Sequence, residues 1–212
     1  KLDTFAPKAR VVHFDRDAAE ISKLRHADVA VPCKIKPVLA DFRPEAGPID
    51  PRRTQCQQWM DEHRVPYDAP GEGSYAPALL KDLSEQAGEK FVGVADVGQH
   101  QMWVAQHCNF SRPQAHITSG GLGSMGFGLP TALGAKVAEP ESIVVNVSGD
   151  GGIMMNIQEL ATLRRYNIPL KVIVLNNSRL GMVRQWQELF FDGNFSEVDL
   201  TDTPDFAEVA QA

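Results

Sequence analysis

Residues 142–177, "SIVVNVSGDGGIMMNIQELATLRRYNIPLKVIVLNN", decide the fold of this chain. The runs "SIVVNVS" and "LKVIVL" are almost continuously apolar, which is typical of parallel strands buried on both faces. Between them, "IMMNIQELATLRRY" has a helical period, which predicts one helix with an apolar face made of Ile153, Ile157, Leu160 and Ala161. A strand, a helix and a second strand predict a βαβ crossover, and therefore an α/β fold with a parallel sheet flanked by helices.

The same alternation extends upstream and defines the domains. We assign residues 73–212 to one domain and residues 43–72 to a linker, because "RPEAGPIDPRR" and "VPYDAPGEGSYAP" are rich in Pro and Gly. The intervening "TQCQQWMDEHR" predicts a helix. Residues 1–42 contain two short strands around "DRDAAEISKLRHA", which predicts a helix with a capping box of Asp17 and Glu20. We expect the domain to be truncated at its C-terminus, because "DFAEVAQA" stops within a helical pattern.

Composition excludes several classes of protein. The net charge is −6 and the basic residues are scattered, which argues against nucleic-acid binding. No apolar run reaches the roughly 18 residues that span a membrane. The cysteines, Cys33, Cys56 and Cys108, form no C-x-x-C pair, so we expect neither a zinc site nor a disulfide framework. These features favour a cytoplasmic protein.

Polar side chains follow both buried strands of the crossover. Asp150 and Asn177 lie just past the two strand ends, so they can meet at the carboxyl edge of the sheet. Their oxygens suit Mg²⁺, and glycines around Asp150 would let a phosphate approach the start of the helix. This predicts a Mg²⁺-bound diphosphate. The alternative is that Asp150 only caps a helix and "NN" only turns the chain.

The segment "GGLGSMGFG", residues 120–128, contains the G-x-G-x-x-G spacing of a dinucleotide-binding turn. That motif should directly follow the first strand of its unit, whereas "QAHITS" before it is short and polar. Glu139 and Glu141 trail a helix end and not a second strand. We therefore interpret the dinucleotide motif as coincidental.

G-D-G, then 24 residues, then N-N resembles the signature of thiamine diphosphate (ThDP) enzymes. More narrowly, "VGQHQMW", "TSGGLGSMGFGLP", "SGDGGIMMNIQEL" and "NNSRLGMVRQWQELFF" resemble the C-terminal cofactor domain of the acetohydroxyacid synthase (acetolactate synthase) family, catalytic subunit, over about residues 73–200. The resemblance implies a ThDP-binding fold, with ThDP and Mg²⁺ as cofactors.

The resemblance also implies roles for individual residues. The metal ligands would be Asp150, Asn177 and the backbone carbonyl of Arg179. The residues that contact the cofactor would be Val97, Gly98, Gln99, His100, Gly123, Met125, Gly151, Gly152 and Met182. The catalytic set would be Met125, which props the thiazolium ring, Met182 in the reaction pocket, and Trp186 at the substrate channel.

Simpler interpretations of these residues stay open. A lone histidine such as His100 is more often structural, and Met182, Trp186 and Leu189 form an i, i+4, i+7 stripe of the kind usually found in a core. Trp103 is interpreted as packing. Gly152 departs from the family, which often has a serine there.

Residues 1–42 resemble the end of the same family's Rossmann-like middle domain, which binds FAD. Asp15 or Asp17 could accept hydrogen bonds from the ribose or flavin. Lys34 stands where relatives have an acidic residue, which is a departure from that pattern.

The implied activity is decarboxylation of pyruvate and condensation with a second 2-keto acid, pyruvate or 2-ketobutyrate, in branched-chain amino-acid biosynthesis (isoleucine, valine and leucine). The family implies a homo-oligomer, dimer or tetramer, with a site shared between subunits, and a regulatory subunit as a further partner. Its partner subunit supplies a glutamate to the cofactor that no segment here matches, so we expect this chain alone to be inactive. Rival interpretations are glyoxylate carboligase, pyruvate oxidase or a non-catalytic binding module of the same fold.

Overall fold

The computed structural model describes residues 4–43, 49–63 and 75–211. The chain divides into two compact units, residues 1–64 and 65–212. In the first unit, β1 (Val12–Asp15) and β2 (Val29–Pro32) form a parallel two-stranded sheet, followed by α1 (Ile35–Asp41) and α2 (Asp50–Glu62). The helix α2 is the one predicted within residues 43–72, and residues 44–48 and 64–72 of that stretch lie outside the described residues.

The predicted helix between β1 and β2 is wrong, because residues 16–25 form turns. The carboxylate of Asp15 accepts the N–H of Asp17 at 2.8 Å, and that of Asp17 accepts the N–H of Ala19 at 2.9 Å. Each side chain therefore bonds a backbone group two residues ahead, which stabilises a turn in place of a capping box. Ser22, with φ of 64°, also departs from helical geometry.

The second unit contains a four-stranded parallel sheet in the order β4-β3-β5-β6. Its strands are β3 (Phe91–Ala95), β4 (His116–Thr118), β5 (Ile143–Gly149) and β6 (Lys171–Leu175). Its helices are α3 (Ala76–Ala87), α4 (Gln99–His107), α5 (Gly128–Ala138), α6 (Asp150–Met154), α7 (Glu159–Arg165), α8 (Gly181–Phe190) and α9 (Phe206–Gln211). The predicted α/β fold with a parallel sheet and flanking helices is confirmed.

Apolar clusters cover both faces of this sheet, which explains why β3 and β5 are apolar without alternation. One cluster contains Leu80, Phe91, Ala95, Val104, Cys108, Val145 and Val147. The other contains Val92, Val94, Ala115, Ala132 and Val144. No helix within the described ranges is long and apolar enough to cross a membrane.

The prediction of one helix over residues 153–166 is wrong, because the segment splits into α6 and α7. Between them, Asn156 and Leu160 donate their N–H groups to residues three positions back, Ile153 and Ile157, in place of four. The side-chain amide of Asn156 donates to the carbonyl oxygen of Gly126 at 2.7 Å. The break thus directs a polar side chain toward the glycine-rich loop.

Candidate active site

The ends of β5 and β6 bring the predicted metal ligands together. Gly149 pairs with Leu175 at the carboxyl edge of the sheet, so Asp150 and Asn177 follow neighbouring strand ends. Asp150 Oδ2 and Asn177 Oδ1 accept the same backbone N–H, that of Arg179, at 3.1 and 3.2 Å. Asp150 is buried, with 3% of its surface exposed. The sequence therefore correctly predicted that these residues meet.

The chemistry of these three residues fits Mg²⁺. A carboxylate, an amide oxygen and a backbone carbonyl are hard oxygen ligands, and Mg²⁺ completes its shell with water or phosphate oxygens. Within the described ranges, no group of three His, Cys, Asp or Glu side chains could hold a metal ion.

A cavity of about 520 Å³ adjoins these residues. It is lined by every residue of the predicted cofactor and metal sets: Val97, Gly98, Gln99, His100, Gly123, Met125, Asp150, Gly151, Gly152, Asn177, Arg179 and Met182. Trp103 also lines it and contacts the core beneath, in agreement with the packing role. The structure brings the predicted residues into one site, and their ligand roles stay predictions.

His100 lies buried in this cavity, and its Nε2 has no hydrogen-bond partner among the described residues. Burial lowers the pKa of the ring, and the carboxylates of Asp96 and Asp150 offset that shift in part. The ring therefore favours the neutral form, which has both a donor and an acceptor nitrogen.

Gln99 has a partner that the sequence did not predict. Its Nε2 donates to Oε1 of Gln185 at 3.0 Å, which links α4 to α8. In this arrangement one N–H of the amide binds the neighbouring helix, and the second N–H is left for donation to a phosphate.

Several residues in or beside the site were not predicted, and two of them make specific contacts. Leu180 lines the cavity, and a Cβ on Gly151 would lie 2.7 Å from Leu180 Cδ2 and 3.6 Å from Met125 Cε. Leu180 and Met125 therefore approach the start of α6 together. No sequence pattern pointed to Leu180 as a site residue, because a single leucine in a loop is not part of a helical or strand periodicity.

Asp96 is the second missed residue. It is fully buried at the end of β3, and its carboxylate accepts the N–H groups of Val97, Gly126 and Gly128. The pattern that identified Asp150, an acidic residue directly after a buried strand, is also present at Asp96 and could have identified it.

A second cavity, of about 710 Å³, lies along α8 and is lined by Trp186. The indole packs edge-on against the ring of Phe190 with centroids 6.0 Å apart. Trp186 and Leu189 are exposed over 58% and 63% of their surfaces, so the core interpretation of the stripe is wrong for both. Met182 and Val183 line both cavities.

Comparison with known proteins agrees with this site. Residues 96–212 match the family described as thiamine pyrophosphate enzyme, C-terminal TPP binding domain, thiamine pyrophosphate being ThDP. The chain therefore belongs to this family of ThDP-binding domains, and the resemblance drawn from its motifs is confirmed at this level.

Two acetolactate synthase large subunits are similar to this chain over its whole length. The chain is 52% identical, over its whole length, to acetolactate synthase isozyme 2 large subunit of Escherichia coli, of which it covers 38%. It is 45% identical, again over its whole length, to the acetolactate synthase large subunit of Parasynechococcus marenigrum, of which it covers 35%. The chain thus spans less than two fifths of these relatives.

A solved structure supports the fold. The structure of the Rhodococcus jostii ThDP-dependent 4-hydroxybenzoylformate decarboxylase aligns with this chain with a TM-score of 0.72 and 22% sequence identity. The alignment covers 96% of this chain and 37% of the decarboxylase chain.

Proposed function

We propose that this chain is the cofactor-binding part of an acetolactate synthase, which decarboxylates pyruvate and joins the remaining two-carbon unit to pyruvate or 2-ketobutyrate. The observation that carries the proposal is the convergence of Asp150 and Asn177 on the Arg179 N–H, beside a cavity that also contains His100 and Met125. The 52% identity to an acetolactate synthase large subunit supports this choice among ThDP enzymes.

In this proposal, backbone N–H groups at the start of α6 would hold the diphosphate of ThDP, because they favour an anion. Asp150, Asn177 and the carbonyl of Arg179 would hold Mg²⁺, which would supply positive charge to offset that of the diphosphate. When bound, ThDP supplies the carbon nucleophile that adds to the keto group and accepts the electron pair released as CO₂ leaves.

The remaining contributions come from side chains of the cavity. Met125 supports the thiazolium ring, and Met182 lines the space where the keto acid reacts. Leu180 and Met125 form an apolar wall opposite Gly151, which limits water at the reacting carbon. Trp186 borders the second cavity, where it selects the second keto acid by contact with its alkyl group.

Several wider features belong to the same proposal. Residues 1–42 contribute to an FAD site, and the enzyme acts in the cytoplasm in branched-chain amino-acid biosynthesis. It works as a homo-oligomer whose sites are shared between subunits, with a regulatory subunit as a further partner. Resemblance of the motifs supports these features.

The test is acetolactate formation from pyruvate by the full-length product of the gene that encodes this chain. We expect activity that requires both ThDP and Mg²⁺ and that disappears in Asp150→Ala. Asp82→Ala is a matched control, because Asp82 is exposed on α3. Loss of pyruvate without acetolactate would move the assignment to another ThDP decarboxylase or oxidase, and complete inactivity would favour a binding module.

A further inference from the structure

The carboxylate of Asp96 is held in an unusual setting for a buried charge. The residue has no exposed surface, and no salt bridge within the described ranges involves it. Its charge is stabilised by backbone donors: the N–H groups of Val97 at 2.6 Å, Gly126 at 3.0 Å and Gly128 at 3.3 Å. A buried carboxylate needs such donors, because an unpaired one is costly.

Two of these donors follow Met125: Gly126 lies in the glycine-rich loop directly after it, and Gly128 is the first residue of α5. Gly126 is held from two sides, since its N–H donates to Asp96 and its carbonyl oxygen accepts the amide of Asn156 at 2.7 Å. Its φ of 80° suits glycine, so the loop has a conformation that few other residues would adopt there. The backbone next to Met125 is therefore fixed by Asp96 and Asn156.

Asp96 also contacts the start of α6. A Cβ on Gly152 would lie 3.0 Å from Asp96 Oδ2, so the absent side chain leaves the room that the carboxylate occupies. One buried side chain thus touches both the segment that presents Met125 and the helix that begins at Asp150.

We propose that Asp96 is a positioning residue, which sets the position of Met125 relative to Asp150 through the N–H groups of Gly126 and Gly128. The part of this inference that concerns the cofactor rests on the proposed function. Asp96 acts through the loop and is not among the residues that line the 520 Å³ cavity, whereas Met125 and Asp150 line it. If Mg²⁺ at Asp150 anchors ThDP, Met125 would be correctly placed to support the cofactor only while the loop is held.

Amide hydrogen exchange of the full-length gene product, followed without cofactor, tests the geometric step. Asp96→Asn retains the shape of the side chain but presents an NH₂ group to one of the loop N–H donors. We expect exchange at residues 126–128 to accelerate by about tenfold or more, because a charge-assisted hydrogen bond is lost. Asp205→Asn is the matched control, since Asp205 accepts two backbone N–H groups at an exposed helix start.

The second readout is ThDP itself. At saturating ThDP and Mg²⁺, exchange of the thiazolium C2 proton for deuterium reports whether the ring is held correctly, and we expect it to slow by about tenfold in Asp96→Asn. Asn156→Ala removes the opposing contact on Gly126 and should have the same two effects, which keeps the test available if Asp96→Asn does not fold.

Unchanged exchange at residues 126–128 in both variants would overturn the proposal, and so would faster amide exchange with an unaltered C2 rate. Absence of acetolactate formation in the unmodified protein would count against the proposed function alone, because the amide measurement needs no cofactor.

Discussion

Asp150 and Asn177, which follow different strands, accept one and the same hydrogen, that of the Arg179 amide. Their oxygens are thereby held within a few ångströms of each other before any cation binds. Preorganised oxygens reduce the ordering that a cation would otherwise impose on binding. The two strand ends therefore act as a single binding element.

Asn177→Ala should weaken Mg²⁺ binding about tenfold or more, since it removes one of few protein oxygens. Calorimetric titration of Mg²⁺ in the presence of ThDP measures this. Asn176→Ala is closely matched, because Asn176 Oδ1 also accepts an N–H two residues ahead, that of Ser178, at 2.9 Å. Equal effects of the two substitutions would mean that the turn matters and the metal role is wrong.

Gly126→Ala should destabilise the chain by about 1–3 kcal/mol, because the residue has positive φ and an added Cβ would lie 2.8 Å from Asn156 Nδ2. Gly134→Ala should instead stabilise it by about 0.5–1 kcal/mol, since Gly134 lies within α5 with open space around it. Urea unfolding measures both. Effects of the same sign would contradict the geometry of the loop.

The thiol of Cys108 should resist alkylation in the native state. Burial raises its pKa from 9.0 to about 11, so about one thiol in a thousand is ionised at pH 8. Cys33 and Cys56 are partly exposed and serve as internal references. Iodoacetamide labelling read by mass spectrometry should modify Cys108 only after urea is added, and comparable labelling of all three cysteines without urea would refute this.

His116 should make stability depend on pH. Burial lowers the pKa of its ring below the usual 6.5, so under acidic conditions the unfolded chain binds a proton that the native ring does not. The free energy of unfolding is therefore highest above pH 6.5 and falls as the pH drops toward 5, with His107 contributing in the same direction.

His116→Phe keeps the stacking on Phe110, whose ring centroid is 4.7 Å away, and removes the titrating group. Urea unfolding at pH 7 and 5.5 should show that the free energy of unfolding falls less between these pH values in this variant than in the unmodified chain. An identical loss would show that His116 does not carry the dependence.

Trp186→Leu should change substrate choice with little change in stability. The indole is 58% exposed, so the free energy of unfolding should move by no more than about 0.5 kcal/mol. Under the proposed function, the preference for 2-ketobutyrate over pyruvate should fall about tenfold, the scale on which pockets discriminate one methylene. Competition between the two keto acids measures it, with Leu189→Ala, exposed on the same helix, as the control.

The sequence predicted β3, β5 and β6 of the second unit from their apolar runs, and β3 and β5 are buried on both faces as expected. The expectation that β6 is also buried on both faces is wrong, because β6 lies at the edge of the sheet and none of its residues is fully buried. The sequence also missed β4, since "QAHITS" is short and polar. It also predicted that Asp150 and Asn177 meet, which follows from the register of parallel strands. Both inferences depend on the local pattern of apolar residues and on the order of strands and helices along the chain, and both can be read from the sequence.

Other features depend on contacts between distant residues and were missed or wrong. The break after Met154 depends on Asn156 reaching Gly126, which is 30 positions away. The turn at Asp15 and Asp17 depends on which backbone N–H group each carboxylate accepts. The spacing of the acidic residues alone fits a capped helix as well as a turn. The position of Asp96 directly after a strand could be read from the sequence, but its contacts could not. Its partners are backbone N–H groups, which leave no pattern in the sequence.

The shared wall formed by Met182 and Val183 has a consequence for how such an enzyme can diversify. A substitution at either position would alter both cavities at once, so under the proposed function a gain in substrate range there would be coupled to a disturbance of the cofactor site. Trp186 and Phe190 line only the outer cavity. Variants with new substrate ranges should therefore accumulate one or two helical turns beyond the wall, where selection can act on one partner of the reaction at a time.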